Sequence, residues 1–111
     1  MTKLESLSLA GQSIKELPPE IGKLTRLKEL NLYANEFTEL PEEISALTEL
    51  EILDVDLICI GSMSGLCDIV FNLPKDICNL KKLKEMEIGQ RKINQAEKEE
   101  VQKCLPNLVF L

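Results

Sequence analysis

Apolar residues recur along this chain with a period of 23 residues. In the clearest copy of the pattern they stand at Leu27, Leu30, Leu32, Phe37, Leu40, Ile44 and Leu47. The preceding copy has the same spacing, with Leu4, Leu7, Leu9, Ile14, Leu17, Ile21 and Leu24. A strict period of this length indicates structural repeats that stack side by side, because a single repeat cannot bury its own apolar face.

Each repeat predicts one strand, one turn and one short helical return. Leu30 and Leu32 are separated by a single polar residue, an alternation that predicts a strand with one buried face. Asn35 follows the strand, and we expect its side chain to bond backbone groups that the tight turn leaves unpaired. Pro41 then opens a short helical or 3₁₀ segment, because its missing N–H costs nothing at such a start.

Two more copies follow and complete a predicted solenoid of four coils. The third starts at Leu50 and the fourth at Leu83, a distance of 33 residues, which is ten more than the period. We place the inserted residues at about 58–70 of the third copy. The predicted single domain, 1–111, divides into coils at 4–26, 27–49, 50–82 and 83–104, with a C-terminal cap at about 94–111.

The insertion reads ICIGSMSGLCDIV and is unusually apolar for a surface connection. One interpretation is a β-hairpin, with a lengthened strand over 54–60, a turn over 61–65 and a returning strand over 66–71. The other interpretation is a short helix over 63–71. In either case we expect the apolar side chains to pack on the coil or to contact another chain, since an unpaired strand edge favours association.

The residues after the fourth strand predict a closing cap. Asn94 is an N-cap residue with Glu97 three positions later, which is the spacing of a capping box at a helix start. Pro106 ends the predicted helix, because the residue before a proline disfavours helical geometry. Leu108 and Phe110 then repeat the apolar alternation, so we expect a fifth, closing strand.

The charge balance excludes several classes of partner. The net charge is -6 and the isoelectric point is about 4.7. Nucleic acids and anionic membrane surfaces attract clustered lysine and arginine, so we expect neither as a partner. No apolar run approaches the roughly 18 residues of a membrane-spanning helix. The repeat is already in phase at Leu4, which leaves no room for a signal peptide.

The chain has four cysteines, Cys59, Cys67, Cys78 and Cys104. They form no C-x-x-C pair and the chain has no histidine, so we expect no zinc site, no other metal and no cofactor. We therefore expect reduced thiols and a cytoplasmic location.

The helical returns carry a shared motif, which reads LPPEIGKL, LPEEISAL and LPKDICNL in the first three coils. With the strand pattern, it resembles the 23-residue class of leucine-rich repeats, as in plant intracellular Ras-group-related and short bacterial repeat proteins. The resemblance implies an α/β fold, a right-handed β-α superhelix whose parallel sheet has about five strands. It also implies protein–protein binding on the concave face, with no shared chemistry. Gln12, Ile58 and Arg91 stand where the family has asparagine, so we expect irregular turns.

The strand residues between the buried leucines would face outward on that concave side. The candidate partner-binding residues are Glu29, Asn31, Tyr33, Ile52, Asp54, Asp56, Glu85 and Glu87. Their carboxylates would lie on adjacent strands, about 4.8 Å apart, and would repel one another. One interpretation is an ordinary acidic surface. The other is a patch that steers a partner protein with a basic patch, with Tyr33 and Ile52 as apolar anchors.

We expect a protein-binding module rather than an enzyme. Asp54 and Asp56 have the spacing of an acid–base pair on one strand face, but no candidate nucleophile or metal ligand stands beside them. The alternatives are a structural unit that self-assembles into a homo-oligomer, through the insertion or the uncapped first coil, and a fragment of a longer repeat array.

Overall fold

A computed structural model describes residues 3–57, 70–74, 76–89 and 91–111 of the chain. In chain order its strands and helix are β1 (Ser6–Ser8), β2 (Glu29–Asn31), β3 (Ile52–Asp54), β4 (Val70–Phe71), β5 (Glu85–Glu87), β6 (Lys92–Ile93), α1 (Gln95–Cys104) and β7 (Val109–Phe110). Short 3₁₀ segments form the helical returns at Pro19–Lys23, Glu42–Ala46 and Ile77–Asn79.

The main sheet has five parallel strands in the order β1-β2-β3-β5-β7. Equivalent residues of successive coils are in register, as in the row Leu7, Leu30, Leu53, Met86 and Phe110. This confirms the predicted α/β solenoid and its parallel strands. In this sheet β1, β2, β3 and β5 each begin one residue earlier than the apolar alternation predicts.

The core is a stack of leucine rows between the sheet and the 3₁₀ segments. Leu30 and Leu32 are buried from the strand side, and Ile44 and Leu47 are buried from the return. Pro41 stands at the N-cap of its 3₁₀ segment, as predicted. Leu4, Leu7 and Leu9 of the first coil are only partly buried, because a coil at the end of a stack has a neighbour on one side only.

The turn of the second coil is organised by Asn35, as the sequence predicts. The side chain is fully buried and makes four hydrogen bonds to the backbone of its own coil and the first coil. Its Oδ1 accepts from the backbone N–H groups of Gln12 and Ile14, both at 3.0 Å. Its Nδ2 donates to the carbonyls of Leu9, at 2.8 Å, and Leu32, at 3.1 Å.

The turn of the fourth coil is organised by Arg91, which is buried and only 5% exposed. Its Nε donates to the carbonyl of Val55, and its Nη2 donates to the carbonyl of Asn35 at 3.2 Å. The guanidinium also lies between two rings, 5.1 Å from the centroid of Phe37 and 4.8 Å from that of Phe71. Burial lowers the pKa of Arg91 and the charge of Asp56 opposes this, but an arginine stays protonated in proteins.

The structure overturns part of both predictions for the insertion. Strand β3 ends at Asp54, so the lengthened strand over 54–60 is absent at 55–57. Strand β4 is extended, which excludes a helix at Val70 and Phe71, and it pairs in parallel with β6. Phe71 is fully buried, against Phe37 and Arg91, while Val70 is 44% exposed. The remainder of both predictions lies at 58–69, outside the described residues.

The predicted C-terminal cap is present. The side chain of Asn94 accepts hydrogen bonds from the backbone N–H groups of Ala96, at 2.8 Å, and Glu97, at 3.2 Å, which confirms the N-cap. Glu97 does not complete a capping box through Oε1, because that oxygen is buried and accepts no hydrogen bond from any described residue. After α1 the chain turns and adds β7 to the edge of the main sheet.

The prediction of reduced thiols is wrong for two of the four cysteines. Cys78, on the 3₁₀ segment of the third coil, forms a disulfide with Cys104 at the end of α1, with Cα atoms 5.7 Å apart. Stacking of the cap on the third coil brings together residues that are 26 positions apart, so their spacing in the sequence gives no sign of the bond. Cys59 and Cys67 lie outside the described residues.

Candidate functional site: the open face of the sheet

Two rows of side chains point from the main sheet away from the core. The first row stands where the strands begin and comprises Ser6, Glu29, Ile52, Glu85 and Val109. The second row stands where they end and comprises Ser8, Asn31, Asp54 and Glu87. We call these two rows the open face, which the curvature of a solenoid makes the concave side. Six of the eight predicted binding residues belong to it, while Tyr33 and Asp56 lie beyond the strand ends.

A shallow depression of 260 Å³ occupies the middle of the open face. It is lined by Ser6, Leu7, Ser8, Glu29, Leu30, Asn31, Ile52, Asp54 and Glu87. The structure therefore brings together Glu29, Asn31, Ile52, Asp54 and Glu87 of the predicted set. Tyr33, Asp56 and Glu85 are half-buried but do not line this depression.

Asp54 and Glu87 form an acidic pair on adjacent strands. They are direct partners in the register of β3 and β5. A hydrogen bond with Asp54 raises the pKa of Glu87, and the charge of Asp54, burial, and the charges of Asp56 and Glu85 raise it further. Two neighbouring carboxylates repel one another when both are ionised, and this repulsion favours the protonated form of Glu87. The pair therefore concentrates negative charge at the edge of the depression.

Some of the predicted binding residues also hold the backbone at the strand ends. Asn31 Oδ1 accepts from the N–H of Tyr33, and Asp54 Oδ1 accepts from the N–H of Asp56, both at 3.0 Å. Asp56 Oδ1 accepts from the N–H of Leu57 at 2.7 Å. The Asp56 carboxylate also lies against Gly89, where φ is +54° and a Cβ would clash with it. Asp56 therefore mainly supports the backbone of the turn, a role that its place in the sequence pattern does not reveal.

A third row, just before the strands, alternates in charge and was missed by the sequence reasoning. It comprises Glu5, Lys28, Glu51 and Lys84. Lys28 pairs with Glu5 at 3.0 Å, and Lys84 pairs with Glu51 at 3.2 Å. The hydrogen bond and charge of Glu5 raise the pKa of Lys28. The sequence already shows this alternation, because the four residues occupy equivalent positions of the four repeats. In contrast to this row, every charged side chain of the open face is acidic: Glu29, Asp54, Glu85 and Glu87.

Neither a metal centre nor a membrane span appears in the part of the chain that the structure describes. No group of three or more Asp, Glu or Cys side chains there is placed to hold a metal ion. No helix within the same residues is both long and apolar enough to cross a bilayer.

Comparison with known proteins agrees with this architecture. A family model described as a leucine-rich repeat region matches residues 1–111. The structure of a leucine-rich repeat protein of Leptospira interrogans is similar, with 34% sequence identity and a TM-score of 0.77. The match covers 97% of this chain and 25% of that chain, so the present chain spans a quarter of its length. No curated protein matches the sequence. The chain belongs to the leucine-rich repeat family.

Proposed function

We propose that the open face binds a partner protein that carries a basic patch. Leucine-rich repeat domains are in general protein-interaction modules. The observation that carries this proposal is the acidic pair of Asp54 and Glu87, which are direct partners in the strand register and form no ion pair with a lysine or arginine among the described residues. A lysine or arginine from a partner would supply the missing positive charge.

The binding mechanism follows from electrostatics and from the shape of the depression. A cationic side chain placed between Asp54 and Glu87 would relieve the repulsion between the two carboxylates. Ile52 lines the same depression and offers an apolar contact to the stem of that side chain. The remaining acidic residues would attract a basic partner from a distance and accelerate association, an effect that salt weakens.

We propose no catalytic role for this face. The pair with acid–base spacing, Asp54 and Asp56, uses a carboxylate oxygen of each residue to accept a backbone N–H. An open sheet surface also excludes little water, whereas catalytic groups work in enclosed pockets.

A second candidate is a segment of a longer repeat array, in which the chain is one part of a larger binding surface. The coverage of only 25% of the Leptospira interrogans chain favours it. The partly buried leucines of the first coil favour it as well, since another coil or a second copy of the chain would bury them. Light scattering on the purified chain distinguishes a homo-oligomer from a monomer.

The predicted cytoplasmic location loses its support from reduced thiols. The bond between Cys78 and Cys104 is of a kind that persists in oxidising compartments and is rare in the cytosol. We therefore propose that the protein works in an oxidising compartment. Alkylation of free thiols in intact cells, followed by mass spectrometry without reduction, should recover the two cysteines as a linked peptide pair.

The binding proposal is tested by neutralising the acidic pair and comparing it with a matched control. The variant is Asp54→Asn with Glu87→Gln, and the control is Glu42→Gln with Glu43→Gln, which removes the same charge from an exposed 3₁₀ segment. Binding of an octalysine peptide should weaken at least about tenfold for the variant, at low salt, and little for the control. Proteins captured from the native lysate by the control but not by the variant are candidate partners. Equal peptide affinity for both proteins contradicts the proposal.

A further inference from the structure

A second surface, lined by no strand residue of the main sheet, is formed where the cap packs on the third coil. We call it the cap groove. It has a volume of 570 Å³, and its residues come from the third coil (Leu73, Pro74, Ile77, Cys78) and from α1 (Ala96, Glu97, Glu100, Val101, Lys103, Cys104). We propose that the cap groove binds a segment of a partner protein in which an apolar side chain stands next to a lysine or arginine.

The walls of the cap groove are apolar. Leu73, Pro74 and Ile77 form one wall, and Ala96 and Val101 lie on the other. Apolar side chains gain free energy when they leave water for such a surface, in proportion to the area that they bury. The volume is within the range of sites that enclose several side chains or a small ligand. The walls therefore account for the apolar part of the proposed segment.

The disulfide between Cys78 and Cys104 joins the two walls. With its Cα atoms 5.7 Å apart, the bond ties α1 to the 3₁₀ segment before any partner arrives. A preformed groove avoids the entropy cost of ordering its walls on binding, so more of the contact energy is available for affinity.

The charge of the cap groove accounts for the cationic part of the segment. Glu97 Oε1 is buried in the structure and has no hydrogen-bond partner among the described residues, although a buried acceptor normally has one. At the rim, Glu100 pairs with Lys103 at 3.7 Å, and both side chains are largely exposed. The three charged residues leave the groove with a net negative charge. An ammonium or guanidinium group would satisfy Glu97, whereas an anionic or purely apolar ligand would not.

The test uses two probe peptides and the oxidised full-length chain. The first probe is acetyl-Leu-Lys-Leu-amide, and the second has norleucine in place of lysine, so the two differ in the cationic group. Binding is followed by the NMR shifts of backbone amides. We expect both peptides to shift the amides of Ile77 and Val101, and the lysine peptide to bind about tenfold more tightly.

Three variants separate the contributions. Glu97→Gln should abolish the preference for the lysine peptide while leaving the weaker apolar binding. Glu99→Gln is the matched control, because Glu99 is exposed on the same helix and does not line the groove. Ala96→Lys should weaken both peptides, since a long side chain would fill the groove from an exposed position. Neutralising Asp54 and Glu87 should change neither affinity, which separates this site from the open face.

Several outcomes would overturn the proposal. One is equal affinity of the two peptides for the wild-type chain. Another is an undiminished lysine preference in the Glu97→Gln variant, which would place the cation elsewhere. Shifts confined to the strand residues would show that the peptides bind the open face instead. If hexylamine alone produces the full effect at equal affinity, the site takes a small organic cation and not a protein segment.

Discussion

The first two coils and the last two solve the same structural problem with different groups. In the first half, the buried amide of Asn35 bonds the backbone of its own coil and of its neighbour. In the second half, Arg91 reaches back to the carbonyls of Val55 and Asn35 and is stacked between two rings. The difference teaches that a repeat turn needs buried hydrogen-bond donors for its carbonyls, and that asparagine is one of several residues that can provide them.

The irregular half carries the cap groove and the acidic pair of the open face, although most residues that line the depression belong to the first two coils. The acidic pair of the open face lies on β3 and β5, and the cap groove lies between the third coil and α1. The first coil, by contrast, supplies only serines to the two rows of the open face, Ser6 and Ser8.

The largest expected effect comes from removing the unusual turn residue. Arg91→Ala would leave two buried carbonyls without a donor and a cavity between Phe37 and Phe71, and should cost about 3–5 kcal/mol of unfolding free energy. Urea denaturation under oxidising conditions measures it. The control is Arg26→Ala, an exposed arginine of the regular half, which should change stability by less than about 0.5 kcal/mol. Equal losses in the two variants would mean that Arg91 does not support the second half.

The next effect compares equivalent core positions of the two halves. Leu32 is fully buried between the first and third coils, so Leu32→Ala should cost about 2–5 kcal/mol. Ile88 occupies the equivalent position of the fourth coil and is only partly buried, so Ile88→Ala should cost less than half as much. Thermal melts of both variants decide this. An unchanged melting temperature for Leu32→Ala would contradict the burial of the repeat core.

The disulfide is expected to act most strongly on the second half. The bond spans 26 residues, and the chain-entropy estimate for a loop of this size is about 3–4 kcal/mol at most, with native strain reducing it. Cys78→Ser with Cys104→Ser should therefore lower global stability by about 2–4 kcal/mol and speed hydrogen exchange in α1 more than in β1 and β2. The same measurements on the double variant with added reductant show any contribution of the other two cysteines. Uniform acceleration of exchange along the chain would argue against a local role.

The smallest effect concerns the acidic pair. The pKa of Glu87 is raised in the folded chain, so this group stabilises the fold at low pH, below the pKa it has when unfolded. That contribution is lost as the pH rises through the folded pKa, because the second carboxylate then ionises beside Asp54. Wild type should therefore lose stability relative to Glu87→Gln as the pH rises above the ordinary glutamate pKa of about 4.3 and through the raised folded pKa, by less than about 1 kcal/mol because the face is partly solvated. Glu16→Gln, exposed and outside the open face, is the control. A constant difference across this range would exclude a coupled pair.

The fold was predictable where local pattern and repeat spacing agree. The alternation at Leu30 and Leu32, the turn role of Asn35 and the N-cap at Asn94 all depend on residues near in sequence, so the pattern alone locates them. The sequence could only mark Arg91 as a departure from the repeat, because its role depends on carbonyls that lie one and two coils away. The bond between Cys78 and Cys104 was hidden for the same reason, since their proximity exists only after the cap has stacked on the third coil.

The candidate site was predictable in composition and not in detail. The strand period identifies the outward residues, and the structure brings Glu29, Ile52 and Glu87 to one depression. The strand period does not reveal that the Asp56 carboxylate accepts a hydrogen bond from the backbone, because that bond depends on the turn after β3. The alternating charge before the strands was visible at repeat spacing, but only the register shows that those charges neutralise one another.

The position of Arg91 has a consequence for how the whole solenoid melts. In a one-dimensional stack each unit is coupled to its nearest neighbours, so terminal units fray independently of the rest. Arg91 belongs to the fourth coil, yet it bonds Asn35 and lies over Phe37 of the second coil, 56 and 54 residues away. This is a coupling between second neighbours, and it penalises any state in which the last coil opens while the second stays folded. The second, third and fourth coils should therefore unfold together in a single cooperative transition instead of one at a time.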